Sequence, residues 1–110
     1  MTDDRAIEIR DNPEEGAYVI EVDGRRAGKA EYKMREGRRV FTHTEVDDEF
    51  AGTGLANRLA RFALDDVRAS GGQLVPLCPF IAAYIKRHPQ YDEIVDHQMT
   101  MNLKKRQDRS

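Results

Sequence analysis

Apolar and polar residues alternate through the first half of the chain, and from residue 55 the period lengthens to that of a helix. After a flexible lead over 1–5, Ala6-Ile7-Glu8-Ile9-Arg10 predicts a first strand. Asn12-Pro13-Glu14-Glu15-Gly16 is a turn cluster. Ala17 to Val22 is β-branched and apolar, a second strand, and Asp23-Gly24 behind it is the dipeptide of a tight hairpin. A third strand is expected over 29–35, with Ala30, Tyr32 and Met34 on one face and Lys29, Glu31 and Lys33 on the other. Glu36-Gly37 turns the chain again. A fourth strand over 39–46 puts Phe41, His43 and Glu45 on one face and Val40, Thr42, Thr44 and Val46 on the other.

The second half reads differently. Leu55, Leu59, Phe62, Ala63 and Val67 form one helical stripe to about Ala69, with Asn57, Arg58, Arg61, Asp65 and Arg68 opposite. Ser70-Gly71-Gly72 ends that helix. Residues 73–78 predict a fifth strand whose proline suits a sheet edge. Pro79 opens a second helix to about Arg87, and His88-Pro89 stops it. A short element is expected over 91–95. The fourth strand, first helix and fifth strand make a β–α–β crossover, so those two strands should run parallel. The expected class is α+β: a four-stranded antiparallel meander, a helical crossover to a parallel fifth strand, and a second C-terminal helix. One compact domain is expected over 1–95 and a flexible tail over 96–110.

Length supports a single domain of 110 residues. The net charge of −2 argues against a broad electrostatic hold on nucleic acid or on an anionic membrane, and no apolar run has the length of a membrane span. One cysteine, Cys78, permits no internal disulfide. With an N-terminus unlike a signal peptide, it suggests a cytoplasmic setting. His43, His88 and His97 lack metal-ligand spacing, so no metal is expected. Oligomeric state is not legible.

Chemistry concentrates between the fourth strand and the first helix. There Gly52-Thr53-Gly54 sits where a helix begins, so free backbone N–H groups and the positive end of the helix dipole meet at one spot. A phosphate-bearing ligand suits such a place, although glycines also serve plain strand-to-helix turns.

Four blocks in order extend this signal: His43-Thr44-Glu45-Val46, Gly52-Thr53-Gly54-Leu55-Ala56, Val75-Pro76-Leu77-Cys78-Pro79, and Tyr84-Ile85-Lys86-Arg87-His88-Pro89-Gln90-Tyr91. With the meander before them, they resemble the GNAT N-acetyltransferase superfamily, and most closely its compact YjdJ-like group of small acetyltransferases. The resemblance implies a GNAT-like fold, acetyl-CoA as cofactor and an amine acceptor, either a small molecule or a protein. It places the diphosphate on the amides of Gly52, Thr53, Gly54, Leu55 and Ala56. The pantetheine arm would run beside strand four at Thr44 and Val46, with Arg58 and Arg61 near the CoA phosphates. The sequence departs from the superfamily at Glu49, where glutamine or arginine is usual. That carboxylate is expected to turn outward, leaving phosphate to the backbone. A further hairpin after Tyr91 is also missing, which implies an open acceptor side.

Within that frame, Glu45 or His43 is the candidate base that deprotonates the acceptor amine, against a plain solvated strand face. Tyr84 is the candidate acid at the departing thiolate, against simple helix packing. Cys78 lines the pocket or, second, accepts the acyl group itself. The leading expectation is acetyl transfer by direct attack. The alternative is a CoA- or acyl-CoA-binding module with little catalysis.

Overall fold

The computed structural model describes residues 6–108, so the expected lead over 1–5 and the end of the expected tail lie outside the described residues. Five strands form one sheet in sequence order: β1 (Ile7–Asn12), β2 (Ala17–Val22), β3 (Arg25–Arg35), β4 (Arg38–Val46) and β5 (Gln73–Pro76). The first four pair antiparallel, and β4 pairs parallel with β5. The crossover helix is α1 (Leu55–Ala69). After β5 come α2 (Pro79–Arg87) and α3 (His97–Asp108). Both tight turns have positive φ at their two central residues, 51° and 80° at Asp23-Gly24 and 50° and 79° at Glu36-Gly37. That is the backbone a right-twisted two-residue hairpin requires.

One face of the sheet carries the main core. Tyr18, Ile20, Val22, Ala30, Tyr32 and Phe41 pack there against Leu55, Leu59, Ala63, Leu64 and Val67 of α1 and Ile81, Tyr84 and Ile85 of α2. Fully buried leucines such as Leu59 and Leu64 each stabilise this layer by about 2 kcal/mol. Phe62 falls at the margin of the stripe, edge-on to Tyr18. Met34, expected to share the apolar face with Tyr32, is 57% exposed near the hairpin tip.

The opposite, outer face is covered differently. Near β4 and β5, Val40 and Val75 pack against Leu103 of α3, flanked by Leu77 and Met99. Across β1–β4 it is closed by charged side chains. Arg10 pairs with Glu21 at 3.1 Å, and Lys29 with Glu31 at 3.1 Å and with Glu45 at 3.7 Å. Ala17 and Val19 are fully buried beneath this lattice, whose aliphatic stems shield them.

Two irregularities correct the alternation read from sequence. The β2–β3 register shifts at Ile20/Glu21, and β3 starts at Arg25 rather than at 29. The β3–β4 register shifts between Glu31 and Tyr32: Glu31 faces His43, but Tyr32 faces Phe41, so Thr42 is an extra residue. A bulge of one residue exchanges the faces of everything beyond it. Phe41 therefore lies in the core, while His43 and Glu45 lie on the outer face with Lys29 and Glu31. The expectation that Phe41 shares a face with His43 and Glu45 is overturned.

The C-terminal expectation also changes. Residues 97–108 form α3 rather than a flexible tail. Asp96 caps it: its Oδ1 accepts the Met99 N–H at 2.9 Å, and its Oδ2 accepts from Arg38 Nε at 2.9 Å. These bonds hold the Asp96 carboxyl below its ordinary pKa, the Met99 N–H foremost. The helix is polar except for a short stripe at Met99 and Leu103, too brief to stand out as periodicity.

Candidate active site

β5 is shorter than expected, ending at Pro76, and pairs with β4 only over residues 38–41. The chain then leaves the sheet, with the N–H groups of Leu77 and Cys78 both donating to the Phe41 carbonyl, at 3.0 and 2.9 Å. Among the described residues, the edge of β4 from Thr42 to Val46 that faces away from β3 has no strand partner. The sheet thus opens at the bulge. Pro79 forces this departure, because Cys78 before it is held extended (φ −71°, ψ 124°) and α2 starts at once.

The open edge leads to the glycine turn. A 3-10 turn, Asp48–Phe50, is followed by Gly52 and Gly54, with φ of 77° and 81°. Gly54 is the N-cap residue of α1 and supplies no side-chain cap, and no acidic residue stands in the helix's first turn. Such a helix start has donors to spare. The Thr53 N–H and Oγ1 both donate to the Phe50 carbonyl, which tightens the turn. The N–H groups of Gly52, Gly54, Leu55 and Ala56 have no backbone acceptor among the described residues. A Cβ on either glycine would meet nothing within 4 Å, so no side chain packs over the turn at these two positions. The arrangement can receive an anion. Glu49 turns away from it into an ion pair with Arg25 of β3.

α1 and α2 enclose the next part. A cleft of about 320 Å³ is lined by Asn57, Arg58, Arg61, Tyr84, Arg87 and His88. The Tyr84 ring is buried and stacks on His88 at 4.2 Å between centroids. Its hydroxyl has no hydrogen-bond partner among the described residues, and burial pushes its pKa up, so it stays a neutral donor. Tyr91 is different: its hydroxyl donates to Asp65 at 2.6 Å, and burial with this bond pushes its pKa to about 12. Asn57, Arg87 and His88 were not singled out by sequence, although His88 stands four residues after Tyr84, the spacing that brings side chains together on a helix.

Cys78 is buried where the sheet opens, its Sγ 3.3 Å from Thr44 Oγ1. The side chains of Val46 and Leu55 belong to the core, so only their backbone groups can serve a ligand. His43 and Glu45 lie on the outer face, 55% and 52% exposed, with His43 Nε2 3.3 Å from Glu45 Oε2. The structure therefore divides the predicted set. Thr44, Cys78, Tyr84, Arg58, Arg61 and the glycine turn lie on the helix side of the sheet, and His43 and Glu45 on the other. The gap between β4 and the start of α2 separates the two groups. A larger concavity, about 720 Å³ between α2 and α3, contains none of them.

A comparison with curated proteins finds no match. A family model described as a GCN5-related N-acetyl-transferase matches residues 17–94, which runs from the start of β2 through α2 and the segment after it and takes in the glycine turn, the open edge and the Tyr84 cleft. With well over half of its length matched, and with a mixed five-stranded sheet that opens beside an uncapped helix, the chain belongs to the GCN5-related N-acetyltransferase family.

Proposed function

We propose that this acetyltransferase-family domain uses acetyl-CoA and transfers the acetyl group to an amine. One observation carries the reading: the unpaired reach of β4, residues 42–46, ends on the uncapped N-terminus of α1. An extended amide-bearing arm can pair with such a strand edge while its diphosphate meets the helix start. Bound acetyl-CoA supplies an activated acetyl thioester.

The chain's own residues take the remaining roles. The Gly52, Gly54, Leu55 and Ala56 amides hold diphosphate, and Thr53 shapes the turn. Arg58 and Arg61 add positive charge along α1. The backbone of Thr44 and Val46 holds the arm. Tyr84 donates its unpartnered hydroxyl to the leaving sulfur. Glu45 takes the amine proton from the outer side of the gap, directly or through water, with His43 beside it. Cys78 lines the passage, since its burial and its contact with Thr44 favour packing over nucleophilic attack. Intact mass after incubation with acetyl-CoA should accordingly show no stable acetyl adduct on Cys78.

Calorimetry tests the ligand. Acetyl-CoA and CoA should bind at micromolar to roughly millimolar concentration, with no binding at about 1 mM sinking the proposal. The exposure of His43 and Glu45 favours a second reading, a CoA-binding module with an acceptor side too open for efficient transfer. CoA binding without turnover across a broad amine screen would select it.

A further inference from the structure

On the outer face, at the end of β4 remote from the glycine turn, three arginines converge from three elements. Arg35 ends β3, Arg38 begins β4 and Arg106 lies on α3. With Gln98 and Asn102 they line a cleft of about 400 Å³. Asp96 fixes Arg38 through Nε, and the Glu36 carbonyl takes a bond from its Nη1 at 2.6 Å, which leaves Nη2 without a partner among the described residues. The Asn102 Oδ1 is occupied by Gln98 at 3.3 Å, so Asn102 offers its amide hydrogens. Arg35 and Arg106 have no carboxylate within 4.0 Å among the described residues. Two carboxylates also line the cleft, Asp96, already engaged with Arg38, and Glu36. Three guanidinium groups against two carboxylates leave the concavity one positive charge in excess, in a chain of net charge −2.

We infer that the cleft between α3 and the β3–β4 turn binds an oxyanion, a phosphate or carboxylate group. The forked donors of arginine match that chemistry. The site lies on the same sheet face as His43 and Glu45, five and seven residues along β4 from Arg38, or about 16 and 23 Å in an extended strand. The anion is therefore either free in solution or carried by an acceptor whose amine reaches the opening of the sheet. Only this second source rests on the function proposed above.

The test uses the full chain and inorganic phosphate. Titration to about 10 mM, followed by amide NMR, should shift Arg35, Arg38, Asn102 and Arg106 in a saturable way. The double variant Arg35→Gln/Arg106→Gln should weaken this at least about tenfold, whereas Arg35→Lys/Arg106→Lys should keep most of it. No saturable shift, or equal binding by the glutamine variant, overturns the inference. Two lysine peptides, one with aspartate five residues from the lysine and one with asparagine there, separate the sources. Binding of the aspartyl peptide alone, in competition with phosphate, supports an acceptor-borne anion. Phosphate binding without either peptide supports a free one. Neither readout requires acetyl transfer.

Discussion

Tyr84 and Tyr91 sit seven residues apart and both pack between α1 and the chain that follows α2, yet their hydroxyls have different surroundings. That of Tyr84 meets no protein acceptor, and that of Tyr91 is held by Asp65. Tyr84→Phe should leave thermal stability within about 0.5 kcal/mol of the parent, because no protein hydrogen bond is lost. It should lower turnover about hundredfold if the hydroxyl serves as the acid. Tyr91→Phe should do the reverse, costing about 1–2 kcal/mol in denaturant unfolding with little effect on turnover. At the other side of the gap, Glu45→Gln keeps the shape of the side chain and removes its basicity. Turnover should fall about hundredfold, with CoA affinity by calorimetry unchanged. His43→Gln should be milder if His43 only supports Glu45; equal losses would make the pair a single unit.

At the scale of elements, the two helix starts show what was and was not legible. The start of α1 could be read because Gly52 and Gly54 interrupt two strong periodicities. Gly54→Ala should destabilise the fold by about 1 kcal/mol, since a left-handed φ of 81° strains any L side chain. It should weaken CoA binding as well, whereas a mere turn would lose stability alone. The start of α3 was missed, although Asp96 three residues before Met99 is an N-cap signal, because the helix behind it is mostly polar. The docking of α3 should depend on acid. The carboxyl of Asp96 has a folded pKa below its unfolded value. Its stabilisation is therefore present above the unfolded value, near 4, and lost as pH falls through the lower folded value. Circular dichroism should show α3 melting before the sheet on acidification. Asp96→Ala should remove that step and leave α3 weakened already at neutral pH, and Asp96→Asn, which keeps the cap, should remove the step with a smaller loss.

The whole molecule is a sheet with two unlike faces, one under α1 and α2 and one closed partly by α3 and partly by charged side chains. Sequence pattern conveyed the strands, the turns, the crossover and the edge position of β5, because each depends on local period or on proline and glycine. It did not convey which face each side chain takes. Alternation assigns faces only while every residue pairs, and the extra residue at Thr42 leaves no mark in composition. Alternation did part His43 and Glu45 from Thr44 and Val46, but which of the two sets lies under the helices was hidden for the same reason. Glu49 was legible as an anomaly, but its partner Arg25 lies on a strand start that the pattern placed four residues later.

The bulge at Thr42 acts on space as a frameshift acts on a reading frame. Substitutions there, such as Thr42→Ala, keep the frame and should fold with a loss below about 1 kcal/mol. Deleting the same residue removes the bulge itself and leaves the pairs Tyr32–Phe41 and Glu31–His43 in place. His43 and Glu45 would stay on the outer face and Thr44 and Val46 on the helix side, so the deletion should also fold, but it would straighten the strand where the sheet opens and should weaken CoA binding. Unfolding of the two variants should be similar, and calorimetry with CoA should separate them. The faces of this strand thus survive both a change of letter at Thr42 and its loss, and what the extra residue governs is the opening beside it.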